Sequence, residues 1–479
     1  MVLPLVGIMH PPSNARPLKP HPRKTGIPTT KWSPHAKWAR PAGQPSEELS
    51  CPMTRRPLSW LSNANDPTTD FPLAHLPYGA FEHDGQQHLC VAIGTHLLDL
   101  HTCAESGILP AELTSACQSP TLNFLMSLGP KSWSLLRSTL TTLLTAEAPH
   151  RDRTEAALHS IAGATLVKPI HIPNYTDFYA SIHHATRVGQ LFRPDQPLLP
   201  NYKYIPIGYH GRASSIIPSG VPIIRPTGQS RPPSPSQPPE FHPTRSLDYE
   251  LELALYIGTP NPLGTPVPIS HAAEHIFGVS LLNDWSARDL QSWEYQPLGP
   301  FLAKNFATTI SPWVTPMAAL KPFHVHAAIR PPDDPQPLPY LHSVADKGHG
   351  NINIQLEVFL STTTMRENKL SPYPISKSNA RDLYWTPAQL IAHHTSNGCN
   401  LQIGDILATG TISGATEASA GCLLELTRNG AQPLALPTGE SRTFLVDGDE
   451  IILRGSCELP GHPRIGLGEC RATILPARL

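Results

Sequence analysis

The chain is 479 residues long, which is too long for one compact domain, and its hydrophobic share of 39% can supply cores for two or three folded units. Only 15% of the residues are charged and the formal net charge is −1, so no overall basic field draws the chain to nucleic acid or to a membrane surface. Proline accounts for 56 residues, about 12% where roughly 5% is usual, and each interior proline costs a helix about 3 kcal/mol. The composition therefore favours short strands and long loops over a mostly helical protein.

Eight cysteines are scattered without a CxxC pair, which reads as reduced, buried small hydrophobes and not as a disulfide framework. No run of 18 apolar residues is long enough to span a bilayer. The opening MVLPLVGIM is short, lacks a charged leading region and runs into prolines, so secretion is not expected and an intracellular location is.

In chain order, residues 1–66 carry 12 prolines and nine Lys/Arg against three Asp/Glu, with no apolar periodicity after the first few positions. Such a segment buries too little apolar surface to offset its ordering entropy and is expected to be a disordered extension. Residues 67–167 read as a small domain. LCVAIGTHLLDL (89–100) gives two strands about a turn at Gly94-Thr95. Helical spacing follows at 121–128 and 132–146, where leucines 135, 136, 140, 143 and 144 share a face. From 168 to 479 short apolar strands alternate with Pro/Gly loops, the pattern of one large β-rich domain. Examples are 247–258, 276–284, 352–361, 405–413 and 448–455. The Pro-rich segments 226–243 and 330–339 read as loops.

The segment Asp248-Tyr249-Glu250-Leu251-Glu252-Leu253 places Glu250 and Glu252 on one face of a strand and apolar side chains on the other. Two carboxylates on a packed strand imply either a wet edge or a cation between them. IFGVSLLND ends in Asp284, directly before SARDLQSWEY, where Arg288, Gln291 and Tyr295 recur on one helix face. Asp284 either caps that helix or joins a site for an oxygen-rich anion. Asp177 in NYTDFYASIHHATRVG supplies a fourth carboxylate, with Tyr179 and the His183-His184 pair close by. Four carboxylates make an all-oxygen cage suited to Ca²⁺ or Mg²⁺; Zn²⁺ would want tightly spaced His and Cys, and HHTSNGC (393–399) has no matching second cluster. The GYHGRASS loop lacks the Lys-Ser/Thr of a phosphate cradle, and neither GxSxG nor a strand-borne GxGxxG occurs.

Taken together, LPYGAF (76–81), YTDFYASIHHATRVG (175–189), GYHGRASSI (208–216), LDYELELA (247–254), NDWSARDLQSWEYQPLGPFLAKNFATTISPWV (283–314), SNGCNLQIGDILATGTISG (396–414) and LVDGDEIILRG (445–455) resemble the fumarylacetoacetate hydrolase family, in its form with an N-terminal domain. The resemblance implies a mainly β, α+β chain: a small SH3-like N-terminal domain followed by a large catalytic β-roll, assembled as a homodimer. It implies metal-dependent hydrolysis of a carbon–carbon bond in 4-fumarylacetoacetate, the last step of tyrosine and phenylalanine breakdown. Carried over by motif, Asp177, Glu250, Glu252 and Asp284 would hold a catalytic Ca²⁺ or Mg²⁺, and Asp284, Lys304 and Thr308 would lie at a second, structural Mg²⁺. His184 would be the general base with Glu425, in GCLLELT, as its orienting partner. Arg288, Gln291 and Lys304 would stabilise the oxyanion, and Tyr179, Arg193, Tyr209, Gln291, Tyr295 and Thr411 would contact substrate. Two other readings share these residues: a superfamily lyase or acylpyruvase acting on another 2-oxo or 1,3-diketo acid, and a non-catalytic metal-binding homologue. The first is disfavoured by the GYHGRASS loop and the N-terminal domain, the second by the intact His184, Glu425 and Lys304. The terminal Ala477-Arg478-Leu479 resembles a peroxisomal address and sets an alternative to the cytoplasm.

Overall fold

The computed structural model describes residues 57–478. Most of the expected N-terminal extension, and Leu479 of the terminal tripeptide, lie outside the described residues. The part of that extension that is described is packed: Ser59 Oγ donates to the Leu144 carbonyl at 2.8 Å, Trp60 Nε1 donates to that of Leu143 at 3.0 Å, and the Ser62–Asn65 turn buries Ala64. The boundary expected at residue 66 therefore lies too late, because the Trp60 ring and Ser59 hydroxyl anchor the chain to a helix that comes some eighty residues afterwards.

The N-terminal part is a five-stranded antiparallel sheet in the order Leu158–Ser160, His96–Asp99, Gln86–Ile93, Tyr78–His83, Leu166–Val167. Its long helix, Gly129–Leu144, carries Pro130 in the first turn, where the missing N–H costs nothing, and buries Leu136, Leu140, Leu143 and Leu144 along one stripe.

Two further sheets make the larger part. The eight-stranded sheet runs Gly208–Gly211, Tyr175–Phe178, Ile406–Ala408, Leu251–Ile257, Ile276–Asp284, Thr308–Ile310, Ile216–Pro218, with Thr315–Pro316 also paired to the 276–284 strand. A five-stranded sheet runs Tyr373–Asn379, Gln355–Ser361, Glu450–Cys457, Ile465–Leu475, Ile223–Ile224. The Pro-rich stretch read as a loop at 226–243 instead contains an antiparallel pair, Thr227–Ser230 with Glu240–Pro243. Proline is tolerated there because this is a two-stranded ribbon with free edges.

Both faces of the central strands are buried, which is why they read as continuous apolar runs. Leu251, Leu253, Leu255 and Ile257 share a core with Leu356, Val358, Leu360, Ile451 and Leu453 of the second sheet. The opposite face, through Ala254, Tyr256, Phe277 and Leu282, shares a core with Tyr78, Leu89, Leu136 and Leu140 of the N-terminal part. Trp133 and Tyr78 pack against Phe277 at ring distances of 5.1 and 5.5 Å. A Cβ on Gly258 would come within 2.6 Å of Trp133, so the close approach requires glycine. The two parts thus have separate sheets and one common core. Phe277→Ala should cost about 3–5 kcal/mol and lower a single calorimetric transition; two transitions that separate in this variant would show instead that the parts unfold independently.

Candidate active site

Three strands deliver four carboxylates to one place. Asp177 lies on the Tyr175–Phe178 strand, Glu252 near the start of Leu251–Ile257, Glu250 just before it, and Asp284 at the end of Ile276–Asp284. Ligand-type oxygens of all four lie within 4.8 Å of one another, and each residue is buried. The 251–257 strand is central in its sheet, so the wet-edge reading of the two glutamates does not hold. Gly410 contributes its N–H to Asp177 Oδ1 and Glu252 Oε2, both at 3.1 Å; its φ of +73° and a Phe178 carbonyl 2.1 Å from any added Cβ exclude other residues.

Burying like charges together is costly, and the titration tendencies show it. Burial, then the charge of Asp284, pushes the Asp177 carboxyl well above the usual carboxylate range; burial, then Asp177 and Asp284, does the same to Glu252. Burial also raises Asp284, although Lys304 opposes it. Glu250 goes the other way: burial would raise it, but Lys304 and Arg288 outweigh that and hold it ionised. Lys304 Nζ bridges Glu250 Oε2 at 2.5 Å and Asp284 Oδ2 at 2.8 Å. Arg288 donates Nη1 to Glu250 Oε1 at 2.7 Å and to Gln291 Oε1 at 3.1 Å, and Nε to Asp248 Oδ2 at 2.9 Å. With all four carboxylates ionised these two cations would leave at least two negative charges uncompensated, and Glu252 Oε1 is buried without a hydrogen-bond partner. An orphaned buried carboxylate oxygen among four carboxylates fits a hard divalent cation.

Asp284 is further engaged by Thr308 Oγ1, 2.9 Å from Oδ1, and by the Tyr209 hydroxyl, 2.8 Å from Oδ2. Lys304 and Thr308 therefore close on Asp284 itself, and the oxygens of a separate second cation would have to come largely from main-chain carbonyls.

Beside this cluster stands a second charged unit. Ser181 caps the helix Ile182–Phe192, accepting from the His184 N–H at 3.3 Å, and so places His184 in the first turn, buried. His183, its neighbour, is only half-buried, so the structure selects His184 from the pair. His184 Nδ1 meets Glu425 Oε1 at 2.6 Å. Glu425 lies on the short helix Leu423–Leu426 and also accepts from Ser413 Oγ at 2.7 Å and Arg187 Nη1 at 3.0 Å. Burial pushes its carboxyl up, but His184, Ser413 and Arg187 outweigh that and bring it down to about 2. An ionised carboxylate only accepts, so Nδ1 donates to Glu425 and Nε2 is the ring nitrogen left to face a reacting proton. The imidazole lies near enough to Glu250 for its positive form to lower that carboxyl.

Of the other expected residues, Tyr179, Tyr209 and Gln291 touch these two units, while among the described residues no contact ties Arg193, Tyr295 or Thr411 to them. The Tyr179 ring stands edge-on to His184 at 5.1 Å, and Thr411 is buried on the segment after Ile406–Ala408. Gln291 is half-buried on the helix Arg288–Glu294, while Tyr295, its C-cap, is exposed. Arg193 ends the His184 helix with its buried Nε unpartnered. Sequence reasoning assigned no role to Asp248, Ser413, Arg187 or Gly410. Asp248 is fully buried and accepts from the Leu423 and Leu424 amides at 2.7 and 2.9 Å as well as from Arg288, tying the Glu425 helix to the arginine. Its sequence signal was its place in LDYELELA, directly before the paired glutamates.

The model for the Fumarylacetoacetase N-terminal domain matches residues 74–169, and that for the Fumarylacetoacetate (FAA) hydrolase C-terminal domain matches 174–475. The chain is similar to the fumarylacetoacetase of Bos taurus, 47% identical over 429 residues that cover 88% of this chain and 99% of that protein. The fumarylacetoacetase of Homo sapiens is 46% identical over 431 residues, covering 88% and 100%, and that of Dictyostelium discoideum 46% over 420, covering 85% and 96%. With the two domain models matched over 74–169 and 174–475, and a buried carboxylate cluster and a His–Glu pair within the second, the chain belongs to the fumarylacetoacetate hydrolase family.

Proposed function

We propose that this protein hydrolyses the carbon–carbon bond of 4-fumarylacetoacetate to fumarate and acetoacetate, closing tyrosine and phenylalanine breakdown. The observation that carries the reading is the juxtaposition of the His184–Glu425 pair with a four-carboxylate cluster that is short of positive charge. Asp177, Glu250, Glu252 and Asp284 would hold the cation, with Ca²⁺ or Mg²⁺ favoured by the all-oxygen donors. Bound there, it supplies a Lewis acid that polarises the diketone oxygens and eases departure of an enolate.

His184 Nε2 takes a proton from water, whose oxygen attacks the carbonyl next to the bond that breaks. Glu425 stabilises the imidazolium that forms and keeps the ring oriented. Arg288, held by its ion pairs to Asp248 and Glu250, donates with Gln291 and Lys304 to the developing oxyanion. The bond then breaks with its electron pair going to the acetoacetate carbon, which recovers a proton by way of His184. The unpartnered Nε of Arg193 suits a substrate carboxylate, and Tyr179, Tyr209, Tyr295 and Thr411 would contact substrate. A second Mg²⁺ at Asp284, Lys304 and Thr308 belongs to the same proposal and plays no part in these steps.

The partner reading is a homodimer. Trp293, Tyr295, Leu298, Phe301 and Leu302 are all exposed within ten residues at the rim of the site, an apolar stretch that a second copy would cover. The cytoplasm is the proposed location, with the peroxisome as the alternative set by the terminal tripeptide. Among the described residues no helix is long and apolar enough to cross a membrane.

His184→Ala should abolish turnover, a loss of about 10³-fold or more, while leaving divalent-cation affinity near normal; activity retained within about tenfold would remove His184 as the base. Chelation should remove activity, and Ca²⁺ or Mg²⁺ should restore it. Because folding raises the Asp177 and Glu252 carboxyls, the cation-free folded protein binds more protons than the unfolded chain between their ordinary and raised values. That part of its stability is full below the ordinary carboxylate range and is lost as pH rises through the raised values. Thermal melts should therefore show a cation-induced Tm increase that grows from mildly acidic to neutral pH; a pH-independent increase would count against the cluster as the site. Light scattering should give twice the 52.2 kDa chain mass, and Phe301→Glu should shift it to monomer; a monomeric wild type would overturn the dimer.

A further inference from the structure

His184 and Arg187 stand three residues apart on the helix Ile182–Phe192, so both project from one face, and both end on the same carboxylate. His184 Nδ1 takes Oε1 of Glu425 at 2.6 Å, and Arg187 Nη1 takes Oε2 at 3.0 Å. The guanidinium is not a passing surface contact. Its Nη2 donates to the carbonyls of Gly414 at 2.7 Å and Thr416 at 2.8 Å, which locks the far side of the loop that carries Thr411 and Ser413. Glu425 is fully buried at its side chain, whereas Arg187 is 21% exposed. Orienting an imidazole needs only one carboxylate oxygen. A cation on the second oxygen does something more: it competes with the imidazolium for the carboxylate's charge.

We propose that Arg187 is a positioning residue of the hydrolytic site: it fixes Glu425 and draws off part of that carboxylate's negative charge, so that His184 remains a free base into mildly acidic solution. The inference rests on His184 being the base and adds a residue to which that reading gives no role. The groups facing His184 are Tyr179 from the chain before its helix, Glu250 from the central strand region, and Cys422 and Glu425 from the short helix; His183 and Arg187 share its own helix, and Asp382 acts on His183. Of these, Arg187 is the cation that touches Glu425 besides His184 itself.

The sign follows from charge alone. Removing the guanidinium leaves more negative charge for the imidazolium, so His184 holds its proton to higher pH and the base is lost sooner on acidification. The test is the pH profile of kcat/KM for the cation-loaded enzyme with fumarylacetoacetate, in wild type, Arg187→Met and Arg187→Lys. The acid limb should move up by about 0.5–1 unit in Arg187→Met, and Arg187→Lys, which keeps the charge without the fork, should bring it back towards the wild-type position. A limb that stays in place or moves down while the rate falls at every pH would overturn the proposal and leave Arg187 a loop clamp. The proposal also fails if Arg187→Lys behaves like Arg187→Met. Should Arg187→Met not fold, Arg187→Gln, which keeps a donor for the loop carbonyls, carries the same expectation. Full activity in His184→Ala would sink the underlying base assignment; an inactive His184→Ala with an unmoved limb in Arg187→Met would sink this inference alone.

Discussion

Four carboxylates buried within one ion's reach of each other cannot be stable unless positive charge reaches them, and most of the site is arranged around that requirement. Lys304 and Arg288 meet part of it and, in doing so, are themselves held in the interior, where neither would otherwise be buried. The remainder distinguishes the cluster from a closed salt-bridge network and suits it to a cation. A network of equal charges would satisfy every oxygen internally, whereas here Glu252 Oε1 is left without a donor. The same shortage explains why Gly410 lends a backbone amide to two of the four carboxylates, a role for which only a residue without a side chain leaves room.

The cluster can be buried because the sheet that carries it is covered on both sides. One face packs on the second sheet of the catalytic part, the other on the N-terminal part through Phe277, Tyr256 and their partners. Without that second cover the 251–257 strand would present Ala254 and Tyr256 to water and would be expected to alternate with polar residues, as one-sided sheets do. Its apolar run on both faces therefore records the N-terminal part as much as the catalytic one. The polar exceptions, Glu250, Glu252 and Asp284, gather at one end of the central strands.

This also explains what the sequence disclosed and what it withheld. Strand runs such as 276–284, the leucine stripe of the 129–144 helix and the paired glutamates are local patterns, and each was readable as such. So was the end of the strand that carries Asp284, because a carboxylate closing an apolar run is conspicuous, whereas the YTDF strand that carries Asp177 is too short and mixed to read. The contacts that arm the site are not local. His184 meets Glu425 across 241 residues, Arg187 meets it across 238, and Asp248 meets the Leu423 amide across 175. No periodicity encodes such pairings, so the His–Glu pair came only from likeness to a family, and Asp248, Ser413 and Arg187 acquired no role at all. The ribbon hidden in 226–243 and the anchoring of Ser59 and Trp60 were missed for a related reason: in both, proline-rich composition outweighed a partner lying far along the chain.

The two charged units finally differ in the direction in which the protein pushes their protons. At the cluster, burial and like charge raise Asp177 and Glu252, so these groups resist ionising until a cation arrives. At the dyad, His184, Ser413 and Arg187 overcome a comparable burial and keep Glu425 ionised without any added ion. Adjacent carboxylates held at opposite tendencies are how one site separates an electrophilic role from a basic one at a single pH. Asp248 joins the two, since its buried carboxylate grips both the start of the Glu425 helix and the arginine that pairs with Glu250. The buried carboxylate of Asp248 thus links the carboxylate cluster to the His184–Glu425 pair, so that the proposed hydrolytic geometry depends on this link as much as on either unit alone.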